Sequence, residues 1–181
     1  KEKRKGAGKV VLWFFNLIAK VYLTVIRGTP VVVQIMIIFF IVFQSSNAKI
    51  PIAALAFGIN SGAYVAEIFR SGIMSIDAGQ MEAGRSLGFN YIQTMWFVII
   101  PQAFKNVLPT LGNEFIVLLK ETAVCGYIGL MDLTRAGDSV RAATYVPYFP
   151  LLFIAAVYLI MVMFFTWLLG KLERRLRNDE R

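Results

Sequence analysis

The stretch Glu82-Ala83-Gly84-Arg85-Ser86-Leu87-Gly88, followed by Val98-Ile99-Ile100-Pro101, decides how this chain is read. It mixes a carboxylate, small residues and aromatics between two very apolar neighbours. Little side-chain bulk is present at its start, and Gly88 permits a turn or a close backbone approach. Tyr91, Met95, Trp96 and Val98 then recur at roughly helical spacing. Pro101 is expected to break or kink the helix there. The segment reads as two short helices joined at Gly88, lying at a membrane surface and presenting a knob to a partner. A plain amphipathic connector is the other reading.

Composition sets the surroundings of that knob. Of 181 residues, 57% are hydrophobic and 14% aromatic, and the mean hydropathy is +0.63. Soluble domains use apolar residues for only about half their length. Stretches near the ~20 residues needed to cross a bilayer recur along the chain, so it reads as an integral membrane protein. The net charge of +8 is concentrated at the ends, Lys1 to Lys9 and Lys171 to Arg181. Basic residues flanking spans mark the cytoplasmic side and anionic lipid, not a nucleic-acid surface. The single cysteine, Cys125, has no partner for an internal disulfide, and there is no histidine to ligate a metal. No cleavable signal is visible.

Outward from the knob, the chain divides into apolar runs and punctuation. Lys1, Lys3, Arg4, Lys5 and Lys9 precede Trp13, Phe14 and Phe15, which suits entry from the cytoplasm with aromatics at the interface. Lys20 and Arg27 make Leu12 to Ile26 a poor spanning helix by itself. Arg27-Gly28-Thr29-Pro30 bends or restarts a helix. Val31 to Phe43 is too short to cross alone at about 1.5 Å per residue. A bent span from about Tyr22 to Phe43 is therefore expected, with Arg27 either snorkelling or facing a cavity. Ile50 to Phe69 forms the next span. Asn60, Tyr64 and Glu67 share one of its faces, turned toward other helices or a water-filled path. Glu67 is also placed to pair with Arg70 at i, i+3.

Beyond the knob, Gly112 to Leu130 is read as a third span, entered through Pro101 and Pro109. Glu114, Lys120 and Glu121 are costly in lipid, at roughly 2–3 kcal/mol each, and must face protein or water. Asn113 and Lys120 share one face, Glu114 and Glu121 the neighbouring one. With Thr122 this patch suits either the ammonium and carboxylate of an amino acid or an internal salt-bridge network. Cys125 and Gly126 allow close helix packing. Met131 to Val146 is a polar outer segment fitting a short surface helix, and Tyr148 to Gly170 is an uncharged last span. The fold class is all-α membrane protein, a bundle of about four spans with a cytoplasmic loop at about 71–105. As the positive-inside rule asks, the termini outweigh the outer Lys49, Arg135 and Arg141.

These residues together resemble the membrane permease subunits of ATP-binding-cassette importers, in the polar amino-acid branch. Arg27-Gly28-Thr29-Pro30 running into Gln34 is one part of the likeness. Glu82-Ala83-Gly84, Gly88 and Ile100-Pro101 resemble the family's coupling signature. Pro101-Gln102-Ala103-Phe104, Leu108-Pro109, Gly112-Asn113-Glu114, Leu119-Lys120-Glu121-Thr122, Leu133-Thr134-Arg135-Ala136-Gly137 and Leu172-Glu173-Arg174-Arg175 complete it. Gly84 stands where the family has alanine, Glu121 where it often has aspartate, and Ala123 where it often has serine. Family members also carry another apolar helix ahead of the basic cluster, so a fifth span upstream of Lys1 is expected.

The resemblance implies one permease domain over 1–181 in a prokaryotic inner membrane, with both ends cytoplasmic. Glu82, Ala83, Gly84 and Gly88 would couple it to a dimer of cytoplasmic ATPase subunits, which would hold ATP and Mg. This chain would carry no cofactor, and it has no phosphate-binding loop of the Gly-x-x-x-x-Gly-Lys-Ser/Thr kind. A second permease subunit, identical or closely related, would complete the path. An external solute-binding protein would deliver substrate near Met131 to Val146. Tyr64, Glu67, Asn113, Glu114, Lys120, Glu121 and Thr122 are the candidate path residues. The substrate range spans arginine, glutamine, glutamate, histidine and cystine-like amino acids. The alternatives are an ion-coupled secondary amino-acid carrier, which needs no docking knob, and an intramembrane enzyme, for which one cysteine and no histidine give little support.

Overall fold

Punctuation in the sequence sets where each helix stops. The computed structural model describes residues 7–178, all helical or connecting segments with no strand among them. The outermost charges, Lys1, Lys3, Arg4, Lys5 and Arg181, lie outside the described residues. Two compact units divide between Ala63 and Tyr64.

The first unit contains α1 (Ala7–Arg27), α2 (Val31–Ile37) with a π-helical turn at Ile38–Val42, and the beginning of α3 (Lys49–Met74). Here two expectations are corrected. There is no continuous bent span from Tyr22 to Phe43: α1 ends at Arg27 and α2 starts afresh at Val31. Leu12 to Ile26 lies within a helix that is long and apolar enough to cross a membrane, Gly8–Arg27. Lys9, Lys20 and Arg27 fall on one face of α1, at i, i+11 and i+18, so the rest of the surface stays apolar despite the charges.

A polar cluster centred on the buried pair Gln34 and Asn60 explains the break at Gly28. Gln34 donates from Nε2 to the Ile26 carbonyl at 2.7 Å, to the Thr29 carbonyl at 3.0 Å and to Thr29 Oγ1 at 2.7 Å. Its Oε1 accepts from Asn60 Nδ2 at 2.9 Å, and both residues are buried. One of the last carbonyls of α1, that of Ile26, is thus met by a side chain of the next helix. A Cβ at Gly28 would stand 2.6 Å from the Thr24 carbonyl oxygen, so the corner requires glycine. Tyr22 Oη donates to the Ile59 carbonyl at 2.5 Å and ties α1 to α3. Ile35, Ile52, Ala53, Ala56, Phe57 and Ala63 form the small core.

The second unit holds the end of α3, then α4 (Ala78–Ser86), α5 (Tyr91–Thr94), a π-helical turn at Met95–Ile99, and α6 (Ile100–Glu121). A 3-10 segment at Thr122–Ile128 leads to α7 (Leu133–Thr144) and α8 (Tyr148–Asn178). The expected span Gly112 to Leu130 is corrected: the helix begins at Ile100 and stops at Glu121. Pro101 does not break it. The proline occupies the first turn of α6, where a missing N–H costs little, and the preceding π turn feeds straight into the helix. Pro109 is likewise held inside α6.

Small residues set the helix spacings in this unit. An added Cβ at Gly72 would lie 2.2 Å from Val107 Cγ2, at Gly112 2.2 Å from Leu169 Cδ1, and at Gly137 2.1 Å from Ile154 Cδ1. These glycines let α3 approach α6, α6 approach α8, and α7 approach α8. Phe115 of α6 meets Phe165 of α8 edge to face, with ring centroids 5.3 Å apart. Lys49–Met74 and Tyr148–Arg175 are long and apolar enough to cross a membrane, and Val31–Val42 is a shorter apolar helical stretch.

Candidate functional site

The knob foreseen around Gly88 is assembled almost wholly by local capping. Asp77 caps α4, its Oδ1 accepting from the Gly79 N–H at 2.7 Å. At the other end Gly88 takes φ +86°, the left-handed region open to glycine. Its N–H donates to the Arg85 carbonyl at 3.0 Å, and the Phe89 N–H donates to the Gly84 carbonyl at 3.2 Å. That pair of bonds is the Schellman closure of a helix. Asn90 and Gln93 then form a capping box, each side chain bonded to the other's backbone N–H at 2.9 Å. Three caps within seventeen residues, Asp77 to Gln93, fix a helix-turn-helix without help from a large core.

Gly84 and Thr94 lock the two short helices together. Thr94 is fully buried, and its Oγ1 donates to the Asn90 carbonyl at 3.0 Å. A Cβ at residue 84 would lie 2.5 Å from Thr94 Cγ2. The glycine is therefore turned inward, against α5. Glu82, Ala83, Arg85 and Ser86 are exposed on the other sides of α4. Leu87, Tyr91 and Ile92 are 77%, 61% and 67% exposed, an apolar rim on the knob. Sequence reasoning singled out only Tyr91 of these, for its periodicity, because exposure is not encoded in spacing.

Two polar clips tie the knob to α6. Gln102 Nε2 donates to Gln80 Oε1 at 3.2 Å and to the Val98 carbonyl at 2.9 Å. Asn106 Nδ2 donates to Ser75 Oγ at 3.1 Å, whose hydroxyl donates to the Gly72 carbonyl at 2.8 Å. The first clip joins α4 itself to α6, and the second joins the segment just before α4 to it.

The candidate path residues lie farther along. Asn113, Glu114, Lys120 and Glu121 stand on the C-terminal half of α6, with Asn113 and Lys120 exposed and the two glutamates half-buried. Thr122 opens the 3-10 segment, and its Oγ1 donates to the Leu119 carbonyl at 2.7 Å. Tyr64 and Glu67 are half-buried on α3. Glu67 pairs with Arg70 on the same helix, Arg70 Nε donating to Oε2 at 3.0 Å. Asn60, on the same polar stripe, faces another helix, as one of the two expectations had it: it is buried against Gln34 of α2. Beyond α6, Asp132 clasps the 3-10 segment: its Oδ2 accepts from Gly126 N–H at 2.9 Å and its Oδ1 from Arg135 N–H at 2.6 Å.

Long apolar helices with a capped polar appendage between α3 and α6 define a multi-pass, all-helical membrane protein. The family described as "Binding-protein-dependent transport system inner membrane component" matches residues 7–178. The arginine transport system permease protein ArtQ of Bacillus subtilis is 41% identical over 169 residues, covering 92% of this chain and 77% of that protein. The glutamine transport system permease protein GlnP of Escherichia coli K12 is 38% identical over 169 residues, covering 91% and 77%. A crystal structure of an amino acid ABC transporter with histidines superposes with a TM-score of 0.82 at 48% identity, covering 88% of this chain and 75% of that one. An inward-facing MetNI methionine ABC transporter, 18% identical with a TM-score of 0.73, shares the fold.

The chain belongs to this family of inner membrane transport components. It is a permease subunit of an ATP-binding-cassette transporter, neither an enzyme nor an ion-coupled secondary carrier. Membership implies an ATPase and a binding protein as partners.

Proposed function

We propose that the chain forms half of the translocation path of a polar amino-acid importer, with α4 as the element that docks on the ATPase. The cap-built turn at Gly88 carries this reading. It holds Glu82 and Ala83 outward on a short helix that is clipped to α6 by Gln80 and Gln102. Glu82 offers a carboxylate to basic groups of the partner, and the rim of Leu87, Tyr91 and Ile92 offers apolar area beside it. Gly84 serves coupling from inside, by letting α4 seat on Thr94. ATP and Mg reside in an ATPase dimer. Closure of that dimer pushes the region 71–105 and biases the permease between inward-open and outward-open states.

The substrate reading draws on the relatives named for arginine and glutamine, and on the mixed charges of α6. Lys120 suits a carboxylate, and Glu114 or Glu121 an ammonium, with Tyr64, Glu67, Asn113 and Thr122 beside the same path. A second copy or a close relative supplies the other half, a solute-binding protein docks near 131–146, and both chain ends face the cytoplasm. The test is co-purification and reconstitution. The chain extracted from its native membrane should bring down an ATPase whose hydrolysis rises when an amino-acid-loaded binding protein is added. Amino-acid uptake by the chain without any ATPase overturns the reading.

A further inference from the structure

We propose that the groove between α6 and α8 is a seat for an anionic phospholipid. The groove has a volume of about 510 Å³ and is walled by Gly112, Phe115 and Ile116 on α6 and by Phe165, Leu168, Leu169 and Leu172 on α8. Its lining is apolar except at one end, where Lys171 and Arg175 stand one helical turn apart. No carboxylate lines it, and Glu173 projects from the opposite side of α8. Neither cation has an ion pair among the described residues.

Three features select a lipid over a soluble anion or a protein. The cations stand at a single end of an apolar slot, the layout of a headgroup above its acyl chain. Lys171 Nζ sits 3.8 Å over the Trp167 ring, the pairing of an aromatic and a lysine that marks a membrane-water interface. A second trough on α8, lined by Val162, Met163, Thr166 and Trp167, ends in Lys171 and Arg174. Two apolar troughs thus converge on three cations within one turn of α8, which complements a two-chain lipid with a negative headgroup. The glycine that opens the first groove, Gly112, also sets the approach of α6 to α8, so an occupant of this slot braces the helix that carries the charged patch.

Native mass spectrometry tests this on the chain, with the subunits that co-purify, released from nanodiscs of phosphatidylglycerol and phosphatidylcholine. The wild type should retain phosphatidylglycerol over phosphatidylcholine. Lys171→Gln with Arg175→Gln should retain it about 30-fold less, the worth of two interfacial cations. Leu168→Trp fills the slot and keeps both charges, so it should also lose the lipid. Equal retention of both lipids by the wild type overturns the proposal. So does undiminished retention by the double variant, or by Leu168→Trp, which would assign the effect to diffuse surface charge. A disulfide between two copies of Leu172→Cys in a Cys125→Ala background overturns it too, by placing a second copy in the groove.

Discussion

At the scale of single residues, Gly84 is held to glycine by the side chain it faces. Alanine at this position would press its Cβ to 2.5 Å from Thr94 Cγ2 and 3.0 Å from Oγ1. Gly84→Ala should therefore destabilise the knob by about 1–3 kcal/mol, the usual cost of overpacking. Thr94→Ser removes the clashing methyl and keeps the hydroxyl that donates to the Asn90 carbonyl. The double variant should recover most of the loss in a thermal-unfolding cycle; simple addition of the two effects would refute the contact. Gly88 is constrained differently. Nothing lies within 4 Å of a Cβ there, so the cost is conformational, set by φ +86°. A non-glycine residue in this region costs roughly 1–2 kcal/mol. Gly88→Arg should leave the protein in the membrane but uncouple uptake from ATP hydrolysis, whereas Gly88→Asn, which tolerates the left-handed region, should keep most coupling. Normal uptake by Gly88→Arg would show that the turn is not part of the transmission.

At the scale of elements, helix ends carry more of the architecture than helix middles. The break between α1 and α2 is held by Gln34, whose amide meets two carbonyls, a hydroxyl and Asn60 at once. Gln34→Leu has nearly the right size but leaves the buried Asn60 amide and the half-buried Ile26 carbonyl without their partner. Each unsatisfied buried group costs about 1–3 kcal/mol, so the variant should melt well below wild type in detergent. Asn60→Leu should add little to it, because both changes dismantle one network. Fully additive losses would mean the two residues act separately. Read from the sequence, Gln34 is a polar interruption and Asn60 one of a stripe turned toward other helices or a water-filled path, with no partner named for either. Their pairing spans 26 positions, a distance at which periodicity is silent.

At the scale of the whole molecule, the proposed function draws on two regions of the second unit, the knob and the charged half of α6. Glu121→Gln removes a formal charge at the end of α6, next to the 3-10 segment that begins at Thr122. On the proposed function it should change the order of preference among cationic, neutral and anionic amino acids by several-fold in competition uptake. An unchanged order would assign Glu121 to structure alone.

Composition and local spacing determined the all-helical membrane character, the last span, and the two short helices hinged at Gly88. Each is governed by interactions within about four residues or by bulk apolarity, so the sequence displays them directly. The start of α6 was not legible, because Pro101 falls in its first turn directly after a π-helical turn and so does not break the helix. Tertiary structure alone decided two further things, that Gly84 faces Thr94 rather than solvent and that Asn60 meets Gln34. Those outcomes depend on which distant side chain fills a space or meets a buried polar group, and such partners are chosen only when the helices pack.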